Sequence, residues 1–286
     1  MDGAHGARST HRPGPAAPGS DFAGVDLSAL LELAVQVGTQ TARMLVEDRP
    51  ATIEFGVKSS PTDVVTEMDT RAERMLLERI SAVRPDDGYL GEEGASRAGT
   101  SGVRWVLDPI DGTVNYLYAT PGWSVSIAAE VAGEVTVGVV VIPTYGEVFA
   151  AVRGRGATRN GAPISVSSPV SLAQSLVGTG FGYDAARRRR QGEVLARLVP
   201  LVRDVRRAGA ASVDLCSVAC GRLDAYYERG LAPWDLAAGG LIAREAGARV
   251  EGLHQVPASV DLVIAAAPAV FGALHDVLAP LRPDLD

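Results

Sequence analysis

Apolar residues recur with a helical period over residues 26–48, where Leu30, Ala34 and Val37 share a face, and predict an amphipathic helix. A second helix is expected over residues 63–83, capped by Thr62 or Asp63 and carrying Asp69 inside it. From residue 123 the pattern changes. Apolar runs cover residues 124–131, 135–142 and 147–152, and Gly133-Glu134 and Thr144-Tyr145-Gly146 punctuate them, which predicts antiparallel hairpins. Beyond Ser175, short apolar runs alternate with helical segments. This mixture predicts a mixed α/β, α+β protein in which sheets are layered between helices. No internal repeat or long linker divides it. Residues 1–24 are rich in Gly, Pro and Ala with little apolar content, and are expected to be a disordered tail.

Composition narrows the classes. At 286 residues and 47% hydrophobic, the chain can bury one large core or two coupled lobes. A net charge of −7 argues against general nucleic-acid binding. Arg187-Arg188-Arg189-Arg190 is the local exception, and it reads as the solvated face of a polar helix opening after Tyr183-Asp184. No stretch approaches a membrane span, and the N-terminus lacks the apolar region of a signal peptide. A cytoplasmic protein is therefore expected by default.

The chemistry concentrates in Trp105-Val106-Leu107-Asp108-Pro109-Ile110-Asp111-Gly112-Thr113-Val114-Asn115-Tyr116. An apolar run leads into two carboxylates three residues apart. Pro109 disfavours a continuing helix, and Gly112 lets another group come close. Hard oxygen ligands followed by free backbone N–H groups suit a magnesium ion holding a phosphate. The same residues also suit an Asp-rich turn that caps a helix. Gly91-Glu92-Glu93-Gly94 is either a ligand loop or a solvated turn. Asp69 matters only if its helix aims it at the metal loop. Asp235, in Ala232-Pro233-Trp234-Asp235-Leu236-Ala237-Ala238-Gly239, is an N-cap, or a cap and a ligand at once.

Other routes find little support. Cys216 and Arg222 have the C-x5-R spacing of cysteine-dependent phosphatases, but Ala211, Leu215, Val218 and Ala219 give that segment helical spacing rather than a phosphate loop. Cys216 and Cys220, one turn apart with no histidine nearby in sequence, make a poor zinc site. Gly178, Gly180 and Gly182 lack dinucleotide spacing and are expected to let a strand end pass close to the site. Of the four histidines, His5 and His11 lie in the tail and His254 and His275 lie outside every motif, so the chemistry falls to carboxylates, a hydroxyl and metal.

Taken in order, Ser60-Pro61-Thr62-Asp63-Val64-Val65-Thr66-Glu67-Met68-Asp69, then Gly91-Glu92-Glu93, then the Asp108–Asn115 motif, then Trp234-Asp235 resemble the inositol monophosphatase family. Arg206-Arg207-Ala208-Gly209-Ala210-Ala211-Ser212 and Asp224-Ala225-Tyr226-Tyr227-Glu228 also resemble it, and its bacterial branch in particular. The likeness covers roughly residues 27–280. It implies a five-layer αβαβα sandwich over residues 25–286, of two tightly coupled lobes meeting near residues 150–170, with metals between the halves. It implies metal ligation by Glu92, Asp108, Asp111, Asp235 and the Ile110 carbonyl. It implies catalysis by Glu92 and Thr113 supported by Asp69, phosphate contacts from Gly112 and Thr113, and alcohol contacts from Ala211, Glu228 and Arg206. Glu92, Ile110, Asp111 and Asp235 are expected to bind substrate as well, and Lys58 would be a loop contact. Five acids and a phosphate in one cleft repel one another, and two or three Mg²⁺ would balance them. The expected substrate is inositol 1-phosphate. The alternatives are histidinol phosphate, fructose 1,6-bisphosphate or adenosine 3′,5′-bisphosphate. A homodimer and lithium inhibition are implied as well, and a regulatory binding protein on the same scaffold is the reading from a different class.

Overall fold

A computed structural model describes residues 24–58 and 64–285. The expectation for the tail, Gly24 apart, and Thr62 and Asp63 lie outside the described residues. The chain opens with α1 (Leu27–Glu47), whose N-cap Asp26 accepts from the Ser28 and Ala29 N–H groups. Leu30, Ala34 and Val37 are buried along it. A short antiparallel pair follows, β1 (Phe55–Val57) and β2 (Val64–Thr66). Only then does α2 (Glu67–Val83) begin. The helix expected from residue 63 therefore starts four residues later, with Thr66 as its cap. β-Branched Val64, Val65 and Thr66 favour the strand, and the Thr66–Asp69 capping box fixes the helix start.

β3 (Gly88–Gly91), β4 (Ser96–Arg97) and β5 (Val103–Asp111) lead into α3 (Thr113–Leu117). β6 (Ser124–Val131), β7 (Glu134–Ile142) and β8 (Glu147–Val152) form the expected antiparallel meander, continued by β9 (Ala157–Arg159) and β10 (Ala162–Pro163). These make one eight-stranded sheet, ordered β10-β9-β8-β7-β6-β5-β3-β4. The chain then builds β11 (Leu176–Thr179), α4 (Ala185–Leu198), β12 (Asp204–Arg206), α5 (Ala211–Ala219), β13 (Ala225–Glu228), α6 (Pro233–Glu245), β14 (Arg249–Glu251), β15 (Val263–Ala266) and α7 (Pro268–Leu278). The second sheet has five strands in the order β12-β11-β13-β15-β14.

Side-chain alternation shows how the layers stack. In the first sheet, Leu107, Ile127 and Val139 pack with α1 and α2, while their neighbours Val106, Ala128 and Val140 pack with α5 and α6. In the second, Tyr226 and Ala265 face α5 and α6, and Tyr227 and Ile264 face α4 and α7. Both faces of each sheet are covered, which is why their central strands read as continuous apolar runs. The result is the αβαβα sandwich, with α5 and α6 shared between the sheets.

Candidate active site

β5 positions the first two acids, Asp108 and Asp111, by breaking its own regularity. Asp108 pairs with Ser126 and Asp111 with Ser124, so the register shifts between them. Side chains three apart on a regular strand point to opposite faces. The bulge at Pro109-Ile110 turns both acids toward one cleft, and a bulge is where a proline is tolerated within a sheet. Oxygens of Asp108, Asp111 and Asp235 lie within 4.8 Å of one another. The octahedral Mg–O distance keeps ligands of one ion within about 4.2 Å, so a small contraction would let the three share a cation. The donors are all hard carboxylate oxygens, as such an ion requires, and the set fits.

Each acid is fixed by its surroundings. Asp108 Oδ1 accepts from the Ile110 N–H at 3.0 Å. Asp111 accepts from the Ala211 N–H at 3.2 Å, the Ser212 N–H at 2.7 Å and the Ser212 hydroxyl at 2.5 Å. Ser124 and Ser212 hydroxyls lie 2.6 Å apart. Asp235 is at the third position of α6, not its N-cap as expected, and its Oδ2 accepts from the N–H of the true cap, Ala232, at 2.7 Å.

Electrostatics argue for a cation. Burial, then the charges of Glu92, Asp111 and Asp235, pushes the Asp108 carboxyl well up. Asp235 rises likewise, from burial and from the Asp111 charge. Burial raises Asp111 to about 6, against the opposing bonds from Ser212. Buried acids this close cannot all be ionised without a counter-charge.

Beside this cluster, the Thr113 hydroxyl stands 3.1 Å from both Asp69 Oδ1 and the Ile110 carbonyl. The other Asp69 oxygen accepts from the Thr66 N–H and hydroxyl at 2.8 and 2.6 Å. Asp69 is fully buried, and the bond it accepts from Thr113 shows that its helix aims it at the Asp108–Asn115 segment. Gly112 sits at φ +92°, where a Cβ would lie 3.1 Å from that of Ala210. Lys58 reaches both loop acids, Glu92 at 2.9 Å and Glu93 at 2.7 Å.

Lys58, Glu92, Asp108, Asp111, Thr113 and Asp235 line a cavity of about 400 Å³, with Ala211 and Glu228 on its wall. Burial lifts Glu228 to about 7, against a 2.5 Å bond from the Tyr226 hydroxyl. Gly180 passes so close that a Cβ there would lie 1.9 Å from Glu228 Oε2. Arg206 does not join them. Its guanidinium points outward and pairs with Asp204 at 2.5 Å, and its neighbour Arg207 lines the cavity instead. At the end of β12 adjacent residues face opposite ways, so a shift of one residue exchanges the two arginines. The tetra-arginine run is also only partly solvated. Arg188 and Arg189 are exposed, whereas Arg187 lines the cavity and Arg190 donates to the Leu281 carbonyl at 2.6 Å. Ser212, Arg187 and Arg207 escaped sequence reasoning. A hydroxyl in the first turn of a helix rich in small and apolar residues is the one available signal, for Ser212.

The remaining candidates lie elsewhere. Cys216 is buried, with its thiol pushed well up by burial, and Arg222 is engaged with Glu147. His254 and His275 pack edge to face, 5.6 Å apart, away from the cavity. His5 and His11 lie outside the described residues.

A sequence model of the inositol monophosphatase family matches residues 26–284. The chain belongs to that family. It is 48% identical to the inositol-1-monophosphatase SuhB of Mycobacterium tuberculosis over 237 residues, which cover 79% of this chain and 80% of the relative. It is 37% identical to the Nus factor SuhB of Pasteurella multocida over 265 residues, 90% of this chain and 98% of that one. The crystal structure of the extragenic suppressor protein suhB from Bartonella henselae superposes with a TM-score of 0.83 at 32% identity, covering 87% of this chain and 98% of that one. Membership makes the chain a phosphoric monoester hydrolase, and its acidic cluster agrees with a metal-dependent one. Among the described residues no helix is long and apolar enough to cross a membrane.

Proposed function

We propose that this phosphatase hydrolyses inositol 1-phosphate to inositol and phosphate by direct attack of water, with two or three Mg²⁺ held by Glu92, Asp108, Asp111, Asp235 and the Ile110 carbonyl. The observation that carries this reading is the convergence of the buried Asp108 and Asp111 with the part-buried Asp235 beside the Thr113–Asp69 pair. Magnesium, when bound, supplies the positive charge that makes water acidic and stabilises the leaving oxygen. The chain's own residues do the rest. Thr66 occupies one oxygen of Asp69, so the other is left to accept the Thr113 proton. The Thr113 oxygen then accepts from the attacking water, as does Glu92. The water's proton passes to Thr113 as the hydroxyl proton moves to Asp69, whose pKa burial has raised and which is therefore the stronger base. The water oxygen bonds to phosphorus, the bond to the alcohol oxygen breaks, and the alkoxide takes a proton from solvent. The Gly112 and Thr113 N–H groups hold the phosphate. Glu228 accepts from the alcohol's hydroxyls, with Ala211 beside the ring. Direct attack by water needs no covalent enzyme intermediate.

Phosphate release from inositol 1-phosphate, histidinol phosphate, fructose 1,6-bisphosphate and adenosine 3′,5′-bisphosphate, each with Mg²⁺ and with EDTA, tests the reading. The expected result is EDTA-abolished release led by inositol 1-phosphate. Another leading ester would keep the chemistry and overturn the assignment of the alcohol. The same reading includes a homodimer, lithium inhibition and a cytoplasmic location.

The Pasteurella relative named as a Nus factor favours a second, added role in binding transcription machinery. Partners that remain bound to a catalytically dead Asp108→Asn protein would support it, and the absence of any partner would remove it.

A further inference from the structure

We infer that Glu73 is a positioning residue for the metal site, holding the Glu92 loop in place from inside α2. The inference rests on the metal reading of the site. Glu73 stands one helical turn after Asp69, on the same face of α2, and both are buried. Asp69 turns to Thr113, while Glu73 turns to the loop that carries Glu92. One Glu73 oxygen accepts from the Glu93 N–H at 2.9 Å and the other from the Ala95 N–H at 3.2 Å. Two backbone bonds complete the clamp, Gly91 N–H to the Ala95 carbonyl at 2.7 Å and Glu92 N–H to the Leu107 carbonyl at 3.2 Å. Glu92 is therefore held on both sides through the backbone, while its own carboxylate faces the cavity and pairs with Lys58.

The fit is made by both partners. A Cβ on residue 91 would lie 2.1 Å from Glu73 Oε2, so the carboxylate reaches the loop only because residue 91 is glycine. One helix thus sets the position of Asp69, which takes the hydroxyl proton of Thr113, and of the loop acid Glu92. The pairing is chemically specific. An ionised carboxylate offers acceptors to both N–H groups, whereas a glutamine of the same shape turns an NH₂ toward one of them. Outer partners of metal ligands typically contribute 10–100-fold in metal affinity.

Mn²⁺ binding, followed by electron paramagnetic resonance without substrate, separates positioning from mere stability. Glu73→Gln should bind Mn²⁺ about 10–100-fold more weakly, keep its circular dichroism spectrum, and keep its substrate KM within about twofold at saturating metal. A wild-type isotherm in folded Glu73→Gln overturns the inference. Gly91→Ala attacks the same contact from the loop side and serves if Glu73→Gln does not fold. It should also weaken Mn²⁺ binding, and an unchanged isotherm overturns the inference. Wild-type protein that binds no Mn²⁺ would overturn the metal reading and this inference together, whereas binding that is unaffected by either variant overturns this inference alone.

Discussion

Ser212 gives both its backbone N–H and its hydroxyl to a single oxygen of Asp111, at 2.7 and 2.5 Å. Asp111 ends a strand of the first sheet, and Ser212 opens a helix of the middle layer, 101 residues later. The bond therefore ties the carboxylate to a separate part of the chain and keeps it ionisable. Ser212→Ala retains the N–H bond and loses the hydroxyl. A hydrogen bond to a charged group contributes about 1.5–3 kcal/mol, so the Mg²⁺ concentration for half-maximal rate should rise about tenfold, and the acid limb of the pH–rate profile should move to higher pH. A variant with wild-type metal dependence would show that Asp111 does not need this donor.

Asp108→Asn and Asp235→Asn should each remove metal binding in the cleft and lower turnover by at least about a thousandfold, with the fold intact. Each substitution also removes a repelling buried charge. Their metal-free melting temperatures at pH 8 should therefore match or exceed wild type. Phosphate release and melting curves on the same samples check both halves. Retention of most of the Mg²⁺-dependent rate would refute the ligand assignment.

Stability of the metal-free protein should fall as pH rises. Asp111 is lifted from its ordinary 3.8 to about 6, and Glu228 from 4.5 to about 7, burial being the first cause of each. A raised carboxyl keeps its proton in the folded state after the unfolded chain has lost it. The stabilisation is complete below the unfolded values and disappears as pH climbs through the folded ones. The metal-free melting temperature should thus drop between about pH 4 and pH 8. Added Mg²⁺ should raise it far more at pH 8 than at pH 5, where protons compete for the same oxygens. A metal-induced shift equal at both pH values would contradict this linkage.

Much of this site is legible in the chain. Asp108, Pro109, Asp111 and Gly112 are contiguous, so strand end, bulge and turn announce themselves in one stretch. Asp235 is recognisable because its neighbours Pro233 and Trp234 mark a helix start. The three hairpin strands carry apolar residues on both faces and are hard to mistake. Where the reading slipped, the deciding interaction lay outside the local sequence. The start of α2 depends on β2 pairing with β1, and the strand preference of Val64 and Val65 is too short a run to be told from a helix start until that partner exists. Arg206 and Arg207 are adjacent and chemically identical, and only the orientation of β12 decides which one enters the cavity. Arg187 differs from Arg188 by a rotation about α4 that a run of four arginines hides. Glu73 looks like any surface acid until the loop it holds has folded against it.

Selectivity for the alcohol should run through Glu228. Glu228→Gln should raise KM for inositol 1-phosphate about tenfold, the loss of about 1.4 kcal/mol, with a smaller change in kcat. Gly180→Ala forces a methyl group toward the same carboxylate and should have a similar effect without touching the metals. Equal KM values across wild type and both variants would move the alcohol contact to other residues of the wall.

Ile110 has a fully buried side chain that packs with α1 and α2, yet its carbonyl is on the cavity side and lies 3.1 Å from the Thr113 hydroxyl. The hydrophobic interior therefore acts as the foundation on which the oxygen proposed to meet the metal is levelled. Removing one methylene beneath it, as in Ile110→Val, would let the peptide settle by a fraction of an ångström. An ordinary core mutation at this residue would register as a change in ion affinity as well as in melting temperature, so packing and chemistry here are two readings of the same coordinate.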